Sequence, residues 1–370
     1  MWDLVVVGAG PAGASAALAA LQARPDARVL LLDRANFPRD KACGDGIAPH
    51  AVDVLTGLGV DAVPSDPPVR RLRLGFVTGL PVSREMQRPA YVVRRSEFDA
   101  RLVAAARDRG ATVRRQQVRG LDTRADHVLV DGEPARVVVG ADGANGVVRR
   151  LARVPGPRDG TVALAIRGYA PVDPDRAGEQ VITFAERGWP AYAWSFPLGD
   201  GTANVGYGEV VTAGRRPLRA ELLARLDLLL PGAGAQASDW RAHHLPLSSG
   251  RPRQPDGRVL LAGDALSLVN PLTGEGIYYA VLSGALAGRA AVDPGVADDP
   301  GRAYRRAVQR ELGRHLRHTS VVAGLARHRP VVEAGVAAAR RRQSVFDDLV
   351  ELGLGRGLLT PRVLAGLLGR

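Results

Sequence analysis

The chain is poor in several residues that common chemistries depend on. It has one cysteine, Cys43, in 370 residues. That excludes an internal disulfide framework and a cysteine-rich zinc site. Lysine is equally scarce: Lys41 is the only one among 50 basic residues, and all the others are arginine. Aromatic residues make up 5% of the chain. They do not interleave with the scattered arginines as a nucleic-acid-binding stripe would require. The net charge of +12 therefore argues for an anionic substrate or a peripheral membrane surface, and against nucleic acid as a partner. No apolar run is long enough to span a bilayer. The opening residues MWDLVVVGAG carry neither a basic leader nor a transit signature. The expected location is the cytoplasm, at or near the inner face of the membrane.

What the chain does have is apolar material, 46% of its residues, enough for two or three lobes. DLVVV (3–7) reads as a buried strand, ASAALAALQAR (14–24) as a helix, and ARVLLLD (27–33) as a second buried strand. This is a βαβ unit on a parallel sheet. A helix is expected near HAVDVLTGLG, alternating antiparallel strands over 69–93, and an amphipathic helix over 96–110. A further buried strand is expected at 135–143. Four strand-like runs follow over 160–210, then a helix at 221–230, a buried strand at 257–265 and a helix at 275–292. Residues 300–370 are expected to be mostly helical.

GAGPAG (8–13) lies between the first strand and the first helix. In that setting Gly8 permits a tight turn, Gly10 lets backbone approach a pyrophosphate, and Gly13 lets helix and strand pack closely. The helix N-terminus then favours the phosphates. Asp33 ends the second strand, where a carboxylate meets ribose hydroxyls. Two later strand ends carry Asp142-Gly143 and Asp264, the second followed by NPLTGEGI (270–277). Asp264 is placed to bond a ribityl chain. Gly274 and Gly276 permit close backbone approach, and the following helix would aim N–H groups at the flavin edge where reduced flavin holds its charge.

These motifs, with Arg95, Phe98 and Asp99 spelling R-x-x-F-D, resemble those of the FAD-dependent hydroxylase and reductase superfamily typified by para-hydroxybenzoate hydroxylase. Pro38, Lys41, Cys43, Gly44 and Gly46 resemble the P-x-x-K-x-C-G-x-G signature of the geranylgeranyl reductase family. Tyr192, Trp194, Phe196 and Pro197 resemble its Y-x-W-x-F-P strand. The resemblance implies an α/β fold with a discontinuous Rossmann-like FAD-binding domain (1–68, 94–158 and 250–299). A mixed-sheet substrate domain (69–93 and 159–249) and a C-terminal helical segment (300–370) complete it. The resemblance adds Ala12, Arg34, Lys41, Cys43, Gly44, Arg95, Gly143 and Ile277 to the cofactor-binding set.

The implied activity is reduction of carbon–carbon double bonds in an isoprenoid, prenyl-lipid, quinone or related apolar substrate by hydride transfer from reduced flavin. NAD(P)H or reduced ferredoxin would supply the electrons, the latter from a partner protein. Cys43, Tyr192 and Trp194 are the expected catalytic residues. Cys43 would donate a proton or position the flavin, and Tyr192 and Trp194 would wall the substrate pocket, with Phe196 in the sheet core. A flavin-dependent monooxygenase on the same scaffold is the alternative. No metal site is expected, and His243, His244, His315, His318 and His328 read as solvated surface residues.

Overall fold

The computed structural model describes residues 1–158, 160–186, 189–211 and 217–367. The chain opens with strand β1 (Trp2–Val7), helix α1 (Pro11–Ala23) and strand β2 (Val29–Asp33). β3 (Gly46–Ile47), α2 (Pro49–Gly57), β4 (Val69–Phe76), β5 (Val82–Val92) and α3 (Arg95–Asp108) follow. The next stretch holds β6 (Thr112–Arg115), β7 (Leu121–Thr123), β8 (Val128–Val130), β9 (Glu133–Gly140) and α4 (Val147–Leu151). Then come β10 (Val162–Pro171), β11 (Glu179–Phe184), β12 (Ala191–Pro197) and β13 (Thr202–Val210). α5 (Arg219–Leu229), α6 (Ala233–Gln236), β14 (Ser238–Pro246), β15 (Val259–Leu261) and α7 (Ile277–Val292) lead to the C-terminal helices. These are α8 (Pro300–Leu325), α9 (Arg329–Arg341), α10 (Gln343–Leu354) and α11 (Pro361–Leu367).

Two sheets organise these elements. In the first, of order β6-β2-β1-β9-β8-β7, the strands β6, β2, β1 and β9 run parallel, and β15 joins β9 in parallel as well. The two ends of β9 serve different partners along one edge. Glu133–Ala135 pairs with β8, and Val138–Gly140 with β15. Strands buried on both faces need unbroken β-branched and aliphatic runs, which Val5–Val7 and Leu30–Leu32 provide. Helices α1 and α7 cover one another closely. A Cβ at Gly284 would fall 2.0 Å from the Ala12 carbonyl oxygen, and one at Gly288 2.0 Å from that of Ala16. Only glycine admits so short an approach of two helix backbones.

The second sheet, of order β14-β10-β13-β12-β11-β4-β5-β3, is antiparallel except where β11 lies parallel to β4. Its alternation leaves one face of β4, β5 and β11 to pack against α9 and α10, where Leu72, Met86, Val336 and Phe346 form a core of their own. The C-terminal helices are also tied to the loop before α7. Asn270 Nδ2 donates to the carbonyls of Leu352 and Gly353 at 3.1 and 3.2 Å, and the Thr273 hydroxyl donates to Gly353 at 2.7 Å. The helices therefore close a space between the two sheets.

Three histidines, His243, His315 and His318, depart from the solvated role expected of them, whereas His244 and His328 are exposed. His243 and His244 lie on β14, a strand rather than a loop. His315 is buried, shares a hydrogen bond of 2.7 Å with the Tyr279 hydroxyl, and approaches the Gly357 carbonyl at 2.6 Å. His318 Nδ1 accepts from the Leu359 N–H at 3.0 Å. Histidine carries a hydrogen-bonding nitrogen on each side of its ring, so a helix face can use it to join buried segments. Sequence spacing alone does not reveal this.

Candidate active site

The turn from β1 into α1 shows why glycine recurs there. Gly8 has φ +100°, and a Cβ at Gly13 would lie 1.7 Å from the Gly8 carbonyl oxygen. The turn is held by Asp33, whose Oδ2 accepts from the Ala9 N–H and Oδ1 from the Ala35 N–H, both at 2.8 Å. Each carboxylate oxygen keeps a further lone pair for a ribose hydroxyl. Arg34 follows at the strand end, exposed to solvent. Ala12 is buried at the seam with α7. No side chain caps α1 at Gly10, so the first-turn N–H groups remain free to meet an anion.

Arg95, on α3, is buried and makes a two-point ion pair with the fully buried Asp99, at 2.7 and 2.8 Å. Arg39 adds a contact to Asp99 at 3.2 Å and reaches over Gly10, lying 3.3 Å from where a Cβ would be. Burial opposes the charge of Arg95, but the Asp99 carboxylate outweighs it and holds the guanidinium firmly cationic. A buried arginine needs such a partner. Asp142 Oδ2 accepts from the Val148 N–H at 3.0 Å at the start of α4, while its Oδ1 is buried without a partner. Burial raises the Asp142 carboxyl above its usual range. Gly143 has φ +81° and faces the Lys41 ammonium.

These elements open onto a cavity of about 730 Å³. Its polar end is lined by Pro11, the 41–44 turn, Arg95, His243, Asp264 and the 274–277 loop. Lys41 Nζ lies 3.4 Å and His243 Nε2 3.6 Å from Asp264 Oδ2. Burial alone would raise Asp264, but Lys41 and His243 hold it well below the usual carboxylate range. Gly274 has φ +71°, and Gly276 precedes Ile277, the buried first residue of α7. The Glu275 Oε1 accepts from the Tyr278 N–H at 2.8 Å. Burial pushes its carboxyl up to about 7 despite bonds from the Tyr278 and Ile277 N–H groups.

The β12 strand brings Tyr192, Trp194 and Phe196 onto one face, with ring centroids 6.0 and 6.4 Å apart in succession. All three line the cavity. Phe196 is thus a correction to the core position expected for it. It is half-buried beside Gly44 and Gly46 because the glycines opposite leave room for its ring. The Tyr192 hydroxyl donates to the Thr273 carbonyl, and Trp194 Nε1 donates to Asn204 Oδ1 at 2.8 Å. Cys43 is half-buried on the cavity wall. Burial pushes its thiol above the usual range, against the pull of Arg95. The far end of the cavity is aliphatic, with Leu74, Ile182, Val332, Val336 and Leu349 among its walls.

The sequence reading names none of Asp45, Asn204 and Glu275 as site residues, and it gives His243 a solvated role that the cavity wall overturns. Asp45 sits inside the C-G-D-G turn that was singled out, and Asn204 is a polar residue at a buried position of an alternating strand. Those were the signals available. Glu275 lies between Gly274 and Gly276 of the cofactor loop, a further signal, whereas His243 gave none, since only folding brings it to the cavity.

The free first-turn N–H groups of α1, the orphaned oxygen of Asp142 and the glycine-lined turns suit a dinucleotide cofactor. The fold and site define an FAD-dependent oxidoreductase. Residues 1–186 match the FAD binding domain family. The chain belongs to the geranylgeranyl reductase family of these flavoproteins. It is 36% identical over 330 residues to a menaquinone reductase of Mycolicibacterium smegmatis, covering 80% of this chain and 78% of that one. It is 32% identical over 338 residues to digeranylgeranylglycerophospholipid reductase 1 of Methanopyrus kandleri, covering 86% and 88%. Its fold matches a geranylgeranyl bacteriochlorophyll reductase-like protein of Thermoplasma acidophilum at a TM-score of 0.77 and 21% identity, over 99% of this chain and 95% of that one. Among the described residues no helix is long and apolar enough to cross a membrane.

Proposed function

We propose that the protein reduces carbon–carbon double bonds of a prenyl-lipid, isoprenoid or quinone substrate. The observation that carries this reading is the cavity itself: one space with a glycine-rich polar end and an aliphatic far end. A long apolar chain fits such a shape, and the relatives named for menaquinone and digeranylgeranylglycerophospholipid support the same class. FAD, when bound and reduced, supplies the hydride.

The residues of this chain do the rest. Gly8, Gly10, Gly13 and the start of α1 receive the pyrophosphate, with Asp33 and Arg34 toward the ribose. Asp264, Lys41, Gly143 and Arg95 lie along the ribityl side, and Gly274, Gly276 and Ile277 present backbone to the flavin. Cys43 gives a proton to the substrate carbon next to the one that accepts hydride. Its thiol is neutral, as a donor must be, and Arg95 stabilises the thiolate left behind. Tyr192 and Trp194 have their O–H and N–H engaged, so their part is to wall and orient the substrate. Electrons reach the flavin from NAD(P)H or reduced ferredoxin.

A membrane contact is part of this proposal. Val77, Leu80, Val321 and Leu325 are exposed aliphatic residues. Arg340 reaches the Leu80 carbonyl at 3.3 Å, Arg329 stacks 5.1 Å from the Phe76 ring, and Trp189 donates to the Ala326 carbonyl at 2.5 Å. Through α9 and the Trp189 ring, 6.1 Å from Phe76, the turn after β4 and the end of α8 form one apolar rim beside the cavity, where Arg340 adds a cation and Arg329 is paired with Glu333; such a rim suits an anionic lipid surface.

Anaerobic single turnover tests the central claim. Dithionite-reduced holoenzyme mixed with menaquinone or geranylgeranyl diphosphate is expected to reoxidise and to yield a product heavier by a pair of hydrogens. Reoxidation only on admitting oxygen, with an oxygenated product, would establish the monooxygenase instead.

A further inference from the structure

Strand β13 carries two glycines on one face, Gly206 and Gly208. They are there for different reasons. A Cβ at Gly206 would lie 2.5 Å from the Ile166 carbonyl oxygen and run into the Trp194 ring, so the packing of the sheet requires glycine at that position. A Cβ at Gly208 would meet nothing closer than the Ala165 Cβ at 3.7 Å, with the Leu164 carbonyl oxygen and the Trp194 ring at 3.8 Å. Those are ordinary van der Waals contacts. The φ of Gly208 lies outside the left-handed region, and its pairing with Tyr192 and Ala165 runs on without a bulge. Glycine inside a strand weakens it, and marks a bulge, a bend or the close approach of another backbone or a ligand. No bulge and no crowding backbone accounts for Gly208. What it opens onto is the cavity, which it lines, half-buried, together with Ala165.

The row of paired residues through Gly208 shows what the gap is shaped for. Tyr192 on β12, Gly208 on β13, Ala165 on β10 and His243 on β14 stand in register across four neighbouring strands. All four line the cavity. The two end residues rise to the segment that carries the later cofactor motif. The Tyr192 hydroxyl donates to the Thr273 carbonyl, and His243 Nε2 lies 3.6 Å from Asp264 Oδ2. Their Cα atoms are three strand spacings apart, about 14 Å. Between them Gly208 offers no side chain and Ala165 a single methyl group. The result is a slot with a low floor, Tyr192 and His243 as its sides, and residues 264–277 bounding it opposite the sheet.

We infer that Gly208 is a specificity-determining residue: it leaves the space in which the branched double-bond unit of the substrate lies between the sheet and the cofactor segment. The inference rests on the reductase reading, in which that unit belongs to a prenyl chain. An isoprene double bond carries a methyl branch and is wider than a straight chain of the same length. It must also be held close to the hydride donor, because reaction rate depends steeply on that placement. A side chain at position 208 would fill the volume of the branch and shift the unit along or out of the slot. It would disturb neither the backbone nor the neighbouring side chains.

The test compares flavin-loaded wild type, Gly208→Ala and Gly208→Val. Both variants are expected to keep their flavin and its visible spectrum. Gly208→Ala should melt no lower than wild type, since alanine loses less conformational freedom than glycine on folding. In anaerobic single turnover with menaquinone, the dithionite-reduced variants are expected to slow by about tenfold for alanine and about a hundredfold for valine, the scale of a misplacement of about an ångström. Reoxidation of the same reduced variants by oxygen, which needs no such space, should keep the wild-type rate. Wild-type rates with menaquinone in the variants would overturn the inference and leave the reductase reading intact. Loss of flavin, or of the oxygen rate, in Gly208→Ala would also overturn it, because the space would then serve the cofactor. Should Gly208→Val fail to fold, Gly208→Ala alone decides between these outcomes. A wild type that menaquinone does not reoxidise removes the reductase reading, and with it the role of Gly208.

Discussion

The half of the molecule built on the parallel sheet and the half that holds the aliphatic cavity are assembled differently. In the first, Gly8, Gly10, Gly13 and Asp33 come from a single βαβ unit, and the contacts that shape the turn stay within that unit: Gly13 with the Gly8 carbonyl, Asp33 with the Ala9 and Ala35 N–H groups. In the second, Cys43, Tyr192, His243, Asp264 and Val336 line one cavity although they are scattered over most of the chain. The first is a local geometry that tolerates almost no change. The second is a surface of many weak contacts, where one wall residue can be altered while the rest still enclose the space.

The strongest test of this contrast pairs Gly13→Ala with Val336→Ala. The added Cβ at residue 13 has backbone on its path, 1.7 Å away, and backbone cannot step aside as a side chain can. Gly13→Ala is expected to lose bound flavin and about 3 kcal/mol of stability or more, read by flavin absorbance and thermal melting. Val336→Ala is expected to keep its flavin, cost roughly 1–2 kcal/mol, and change which chain lengths are reduced. Equal flavin loss in both would break the contrast.

A smaller effect should follow pH. The folded-state pKa of Glu275, about 7, is raised from the ordinary 4.5. The fold therefore favours its protonated form, and the stability it contributes is complete below about 4.5 and is lost as pH rises through about 7. The melting temperature of wild type is expected to fall over that window. With Glu275→Gln at matched flavin loading the fall should be shallower. An identical slope in the two proteins would remove Glu275 as the titrating group.

The smallest effect concerns the rim. Val321→Asp with Leu325→Asp changes exposed side chains only, so stability is expected to move by less than about 0.5 kcal/mol. Co-sedimentation with anionic phosphatidylglycerol vesicles should weaken measurably. Unchanged vesicle binding would end the membrane proposal at this surface and leave the cavity reading untouched.

The order of elements was written in the chain. Apolar β-branched runs marked β1, β2, β9 and β15, and glycine turns with strand-end acids marked where a cofactor would lie. The family resemblance carried by the C-G-D-G turn and by Tyr192 and Trp194 implied a substrate wall. These features depend on residues a few positions apart, and period and turn chemistry are local properties of a polypeptide. Tertiary structure alone decided that His243 stands beside Asp264, that His315 is buried between Tyr279 and Gly357, and that Phe196 faces a cavity rather than a core. It also decided that Asp45 is buried beneath Tyr169 and Asn204, from which its Oδ2 accepts. Those positions depend on which strands become neighbours. β10, β12 and β13 lie side by side, and β14 closes against β10. The environment of a titratable group is set by what the fold brings against it, and a residue's own neighbours in sequence carry no record of that.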